Sequence, residues 1–181
     1  MPFAYYQNLS ARQKRIYRQS DAVTALDLRL PVGLEQRARA LEALLANEDR
    51  ASVELCCQEI ADAIVAATRT PPVEVKVLRV RPSNDWGELH GLYEPREDEP
   101  PARVSLWMRT AQRKKVVAFK TFLRTLVHEL LHHLDYEYLY LAETFHTEGF
   151  FKRESALVRQ LLGEPPQVDG SGTPSDTAFS R

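Results

Sequence analysis

Residues 128–132 read His-Glu-Leu-Leu-His, the HExxH pattern of two histidines four positions apart with a glutamate after the first. On a helix, positions i and i+4 lie one turn apart on the same face, so both imidazoles can bind one metal ion. Glu129 is rotated by about 100° from His128 and can reach a water on that metal. Zinc lowers the pKa of such a water, and a carboxylate can take its proton as the water attacks a carbonyl. The pattern therefore predicts a catalytic Zn²⁺ site.

The spacing of apolar residues predicts a long helix over residues 116–140, with the motif inside it. At about 100° per residue, one broad face of this helix carries the apolar side chains, namely Phe119, Leu123, Leu126, Val127, Leu130 and Leu134. His128 and His132 fall on the opposite side, about 40° apart, which separates a metal face from the core face. His133 is rotated by about 100° from His132, and we do not predict it as a ligand.

Asp135 lies on the same side of this helix as the two histidines, but further along the axis. At about 1.5 Å per residue it is about 10 Å from His128, which is too far for one ion on a straight helix. We expect that Asp135 does not bind the metal itself but orients His132 or another ligand through a hydrogen bond. A surface charge is the alternative interpretation.

A catalytic zinc site needs a third protein ligand and an open position for water. Four downstream residues offer suitable atoms, namely Glu143, His146, Glu148 and Glu154. His146 is the last histidine of the chain, and residues 141–146 can extend about 17 Å, which allows the loop to return to the helix. We favour His146 as the third ligand and keep Glu154, on the helix that follows, as the alternative.

Apolar periodicity and stop signals predict helices and strands around the motif. Helices are expected over residues 10–20, 34–47, 52–68 and 148–162. Strands are expected over residues 73–80, 88–94 and 103–108. Ser10 and Gln13 have the spacing of a capping box. The last two strands form a hairpin over residues 86–108 with an acidic, proline-rich loop at 94–101, and residues 164–181 have the composition of a disordered tail.

The composition is that of a globular protein with little net charge. The 181 residues include 24 Lys and Arg against 25 Asp and Glu, for a net charge of −1. This balance argues against binding to nucleic acid or anionic lipid by bulk electrostatics, although the basic N-terminal segment leaves a nucleic-acid contact open. No apolar run is long enough to span a membrane. Cys56 and Cys57 are adjacent and form no disulfide framework, which favours a reducing cytoplasm.

The segment HELLHH, followed by His146-Thr147-Glu148-Gly149-Phe150-Phe151, resembles SprT-like and related minimal zinc metallopeptidases. The resemblance implies that His128, His132 and His146 bind zinc and that Glu129 is the general base. It also implies that the aromatic pair after His146 packs the next helix.

The resemblance covers about residues 70–162, which include the predicted strands. It implies that an edge strand of a small sheet lies beside the substrate cleft, and we expect residues 103–108 to be that strand. An edge strand can hold an extended substrate by backbone pairing.

The sequence also departs from related patterns. Metzincins would have glycine and histidine where this chain has Asp135 and Tyr138, which excludes that class. The doubled His133 and the acidic loop 94–101 are not part of the SprT-like pattern. No cysteine follows Cys57, so a zinc ribbon for nucleic-acid binding is not predicted.

Together these observations predict one α+β, zincin-like domain over residues 1–163. It would consist of a helical part at 1–70 and a metallopeptidase core at 71–163, with about three strands, an active-site helix and a return helix. The predicted function is zinc-dependent hydrolysis of peptide bonds in a peptide or protein substrate. The alternative is a non-catalytic module that binds metal or nucleic acid. The oligomeric state is not predicted.

Overall fold

The computed structural model describes residues 3–84, 87–96 and 101–165. Residue 86, the centre of the acidic loop 94–101 and most of the predicted tail 164–181 lie outside the described residues. In chain order the elements are a short 3-10 helix Ala4–Asn8, α1 Ala11–Ala22, α2 Leu34–Ala46, α3 Arg50–Thr68, β1 Val73–Val80, β2 Ser83–Asn84, β3 Gly87–Glu88, β4 Gly91–Glu94, β5 Ala102–Arg109, α4 Phe119–Glu137 and α5 Glu148–Leu161.

The α+β class is confirmed by a three-stranded mixed sheet with helices packed against it. The strand order is β1-β5-β4, with β5 parallel to β1 and antiparallel to β4. The prediction that residues 103–108 form the edge strand is therefore wrong, because they form the middle of the sheet. The physical reason is burial on both faces of β5: Val104 and Leu106 face the core, while Ser105 and Trp107 on the other face are also buried.

The predicted strand 88–94 is divided in the structure into β3 and β4. Glu88 pairs with Ser83 in a separate two-stranded sheet, whereas Gly91 pairs with Leu106 of β5. The two segments have different partners, so the backbone leaves one ladder at residues 89–90 before it joins the other. The edge strand of the main sheet near the HExxH motif is consequently β4.

One face of the sheet and the helices share a single core. Alternate residues of β1 and β5 lie on this face, where Val75 is paired with Val104 and Val77 with Leu106. Helices α2 and α3 contribute apolar side chains to the same cluster of buried residues, which continues to Leu162 after α5. Both cysteines are free and buried in this core, as expected for small apolar side chains on α3.

Helix α1 begins where the capping signal predicts. The Ser10 side chain accepts a hydrogen bond from the Gln13 backbone N–H at 3.2 Å, and the Gln13 side chain accepts from the Ser10 backbone N–H at 3.1 Å. This reciprocal pair satisfies two donors that the first helical turn leaves without intrahelical partners.

Helix α4 is shorter than the predicted span 116–140. It begins at Phe119, because Val116 and Val117 are held in an extended conformation. Val116 forms a β-bridge with Arg109, and the Val117 N–H donates to the Met108 carbonyl at 2.7 Å. Tyr140 has a φ of 53° in the loop beyond the helix. The predicted apolar face is buried against the core, with Phe119 only partly covered.

Helix α5 is joined to α4 by a buried ion pair. Arg153 Nη2 donates to Asp135 Oδ1 at 2.8 Å, and neither side chain is exposed. Arg153 Nη1 also donates to the carbonyls of Ser20 and Val23, each at 2.6 Å, at the carboxyl end of α1. One guanidinium therefore links three helices.

None of the described helices has both the length and the apolar composition required to cross a lipid bilayer.

We predict that Arg153→Met lowers the free energy of unfolding by about 3–5 kcal/mol, because it leaves the Asp135 carboxylate buried without its partner charge. Urea denaturation followed by circular dichroism measures the change. Arg103→Met is the matched control: its ion pair with Glu74 is solvent-exposed, and we expect a loss below about 1 kcal/mol. Equal losses in the free energy of unfolding would show that the buried pair stabilises the fold no more than the exposed pair does.

Candidate metal centre

Three histidine side chains converge at one point between α4 and the loop before α5. His146 Nε2 lies 2.9 Å from His128 Nε2 and 3.2 Å from His132 Nε2. In a tetrahedral site with metal–nitrogen bonds of about 2.0–2.1 Å, two ligand nitrogens are about 3.3 Å apart. The two distances to His146 are close to that value, and all three ligand atoms lie within 4.8 Å of one another, so the three imidazoles could hold one metal ion. No other such cluster is found among the described residues.

His128 is oriented by Glu154. Glu154 Oε2 accepts a hydrogen bond from His128 Nδ1 at 2.8 Å, which leaves the lone pair of Nε2 directed to the cluster. The second carboxylate oxygen of Glu154 is paired with Arg124. Burial alone would raise the pKa of Glu154, but the hydrogen bonds from His128 and Arg124 lower it below its usual value. The structure therefore places Glu154 against Nδ1 of His128, whereas the alternative prediction placed it on the metal.

His132 is oriented through Thr144 and Asp135. The Thr144 hydroxyl donates to Asp135 Oδ2 at 2.8 Å, so its oxygen accepts the Nδ1 proton of His132 at 2.8 Å. Nε2 of His132 then has a free lone pair facing the cluster. Asp135 is buried, so the alternative interpretation as a surface charge is wrong. It reaches His132 through the intervening Thr144 hydroxyl, and its role in orienting a metal ligand stays a prediction.

The ring of Phe150 forms the floor of the histidine cluster. Its centroid lies 5.0 Å from the rings of both His128 and His132 and 5.3 Å from the ring of His146. Phe150 is fully buried, and its neighbour Phe151 stacks on His146 at 5.9 Å. Burial, with the other two imidazoles nearby, lowers the pKa of His132 to about 3, which favours the neutral form that binds metals.

Glu129 is buried between α4 and the edge strand β4. Burial raises its pKa to about 7, while nearby His128 and a hydrogen bond from the backbone N–H of Tyr93 oppose that rise. Gly91 of β4 lies so close that a β-carbon there would come within 2.4 Å of Glu129 Oε1 and 2.8 Å of Thr125 Cγ2. The absence of a side chain at residue 91 therefore allows β4 to approach the glutamate.

His133 lies away from the cluster. Its Nε2 is 3.0 Å from the Pro71 carbonyl, which only accepts, so Nε2 is the protonated nitrogen. Its Nδ1 then accepts from the Tyr93 hydroxyl at 3.2 Å. His133 thus ties α4 to the residues before β1 and to β4, in keeping with its exclusion as a ligand.

A cleft of about 600 Å³ runs between β4 and α4. It is lined by all three clustered histidines, by Glu129 and by residues of the edge strand. Of the tyrosines at the end of α4, Tyr136 lines the cleft, whereas Tyr140 is 85% exposed. His90, for which the sequence indicates no role, also lines the cleft beside β4.

The sequence identifies the residues that could bind metal but misses most of those that orient them. Spacing on a helix is sufficient to find His128, Glu129 and His132. Thr144, Gly91 and the approach of β4 depend on contacts between distant segments, and neither residue belongs to a recognisable motif.

Comparisons with protein-family models, with curated proteins and with solved structures find no significant match to this chain.

We predict that Gly91→Ala lowers the free energy of unfolding by about 1–3 kcal/mol, because the added methyl group forces Glu129 and Thr125 to move. Urea denaturation measures the loss. Leu92→Ala, a change at an exposed neighbour on the same strand, should stay within about 0.5 kcal/mol of the unmodified protein. A neutral Gly91→Ala variant would show that β4 does not approach Glu129 as closely as described.

We predict that His146→Ala weakens zinc binding more than Glu154→Gln does. Loss of a ligand removes a metal bond, whereas Glu154→Gln retains an oxygen near His128 Nδ1 and should cost about 10- to 100-fold in affinity. Competition with a chromophoric chelator gives both dissociation constants. The reverse order would identify Glu154, rather than His146, as the third ligand.

Proposed function

We propose that this protein is a zinc-dependent metallopeptidase. One observation carries the proposal: the Nε2 atoms of His128, His132 and His146 converge in one cleft, and the buried Glu129, which follows His128 on α4, lines the same cleft. The SprT-like resemblance and the zincin-like fold belong to this proposal and rest on the motif residues.

The donor set supports zinc in a catalytic rather than a structural site. Neutral imidazoles suit zinc among several transition metals. Structural zinc sites are usually closed by four protein ligands, often cysteines, whereas only three candidate ligands cluster among the described residues. Cys56 and Cys57 are buried in the core and are not part of the cluster. Zinc bound by His128, His132 and His146 would polarise a carbonyl and acidify a water.

Glu129 supplies the general base in this proposal. Its carboxylate lines the cleft and is held by the Tyr93 backbone N–H. It would accept a proton from the attacking water and later deliver it to the leaving amine. Its burial limits the contact of the carboxylate with bulk water, which strengthens electrostatic interactions with a substrate.

Strand β4 supplies the substrate-binding edge. It pairs with β5 on one side, and among the described residues no strand pairs with its other side, which borders the cleft. An extended peptide could bind there through backbone hydrogen bonds. This location replaces residues 103–108, which are enclosed in the sheet. The two free, buried cysteines are in keeping with a reducing compartment, and we include a cytoplasmic location in the proposal.

We predict that the purified protein contains close to one zinc per chain and hydrolyses an unfolded protein such as casein. Glu129→Gln should lower the rate constant by about 10²- to 10⁴-fold and retain the zinc, because the amide preserves the shape but cannot accept the proton. Mass spectrometry of the metal and release of labelled peptides are the two measurements.

The outcomes separate the peptidase from its alternative. Zinc binding without hydrolysis of any unfolded or peptide substrate by the unmodified protein would favour a non-catalytic metal-binding module. Equal hydrolysis by the unmodified protein and the Glu129→Gln variant would exclude Glu129 as the base.

A further inference from the structure

His146 is carried by an irregular loop between α4 and α5, at residues 138–147. At the end of α4, the N–H groups of Tyr138 and Leu139 both donate to the Leu134 carbonyl, and the Leu141 N–H donates to the Asp135 carbonyl at 2.9 Å. After residue 141 the loop has few backbone hydrogen bonds, such as that from the Thr147 N–H to the Phe145 carbonyl at 2.9 Å. His128 and His132 are fixed by the helix that carries both, but the position of His146 depends on what packs against its loop.

The first residues of the chain pack against this loop. The hydroxyl of Tyr5, in the 3-10 helix, donates a hydrogen bond of 2.8 Å to the backbone carbonyl of His146, a residue 141 positions away. Beside it, the Phe3 ring contacts Phe151 edge-on at 5.9 Å, and Phe151 in turn stacks on the imidazole of His146. Both the backbone and the ring of His146 are thus supported from the N-terminal segment.

Helix α1 makes two further contacts with the loop. Gln13 Nε2 donates to Glu143 Oε2 at 3.0 Å, and the capping box with Ser10 fixes the orientation of the Gln13 side chain. The Tyr17 ring, almost fully buried, packs against Phe145 at 6.1 Å.

The N-terminal segment is itself held firmly in place. Asp21 Oδ1 accepts a hydrogen bond from the Gly149 N–H at 2.9 Å, at the first turn of α5. A β-carbon on Gly149 would come within 2.3 Å of the Asp21 carbonyl oxygen, so the two backbones are in direct contact. Together with the Arg153 contacts to Ser20 and Val23, these bonds anchor α1 independently of the loop.

We propose that residues 3–22 are a positioning element for the third metal ligand, acting through the Tyr5–His146 and Gln13–Glu143 contacts. The proposal rests on the metal centre proposed above. It assigns a role in metal binding to a segment that lies outside the part of the chain carrying the motif. Tyr5 and Gln13 are positioning residues, since each acts through the loop rather than on the metal.

The first test compares two tyrosines of the same 3-10 helix. Tyr5→Phe removes the hydroxyl that bonds the His146 carbonyl and keeps the ring. Tyr6→Phe is the matched control, because the Tyr6 hydroxyl accepts from Arg18 and does not contact the loop. We expect Tyr5→Phe to weaken zinc binding about 3- to 10-fold, as for the loss of one hydrogen bond, and Tyr6→Phe to leave it unchanged.

The second test exchanges the partners of the Gln13–Glu143 contact. Gln13→Glu retains an oxygen for the Ser10 N–H but places a carboxylate against Glu143, and it should weaken zinc binding about 10-fold. The double variant Gln13→Glu with Glu143→Gln restores a donor and an acceptor with exchanged roles and should recover the affinity of the unmodified protein. Glu143→Gln alone should have little effect, since its amide oxygen can still accept.

Chelator competition gives the zinc dissociation constants, and the visible spectrum of the Co²⁺-substituted protein reports the ligand geometry directly. We expect the cobalt spectrum of Gln13→Glu to shift towards that of His146→Ala and to return in the double variant. A lower Tm with unchanged zinc affinity and unchanged cobalt spectrum would show a merely structural role and overturn the proposal.

The outcomes also separate this inference from the proposed function. If the unmodified protein binds no zinc, both proposals fail. If it binds zinc and His146→Ala weakens binding, but Tyr5→Phe and Gln13→Glu do not, the metal centre stands and the positioning role is excluded.

Discussion

The buried ion pair between Asp135 and Arg153 connects the elements on which the candidate metal centre depends. Asp135 holds Thr144, which holds His132, while Arg153 holds the carboxyl end of α1. Taking two charges out of water is costly, and burial raises the pKa of Asp135 against the effect of Arg153. Hydrogen bonds to the remaining polar atoms offset part of this cost: the Thr144 hydroxyl bonds Asp135, and the carbonyls of Ser20 and Val23 bond Arg153. The Nε of Arg153 is buried without a hydrogen-bond partner among the described residues, so the cost is not fully offset.

The same arrangement accounts for the preorganisation of the histidines. Each of the two helix histidines has its Nδ1 hydrogen-bonded, to Glu154 directly or to Asp135 through Thr144. An imidazole whose Nδ1 is bonded in this way presents the lone pair of Nε2 in one direction. Phe150 packs against all three rings, so the donors are oriented by both polar and apolar contacts.

The N-terminal residues show how a segment without a recognisable motif can still contribute to a site. The proposed metallopeptidase core begins near residue 70, yet Tyr5 and Gln13 contact the loop that carries His146. A loop without regular structure has few backbone bonds of its own, so its conformation is determined by the surfaces that cover it. The first helix is such a surface.

The sequence alone predicts the five α-helices of the described residues, though not the short 3-10 helix or the start of α4. It is also sufficient for the capping box at Ser10 and the pairing of His128 with His132, because these depend on short-range periodicity and on local hydrogen bonds. Contacts between residues distant in the chain determine three other features. These are the strand order, the position of β4 rather than residues 103–108 at the edge of the sheet beside the cleft, and the placement of Glu154 behind His128. Such contacts follow from how the core packs, and no local spacing encodes them. The tertiary structure alone therefore decides that His146 reaches the helix histidines, that Gly91 lets β4 approach Glu129, and that the N-terminal segment covers the His146 loop.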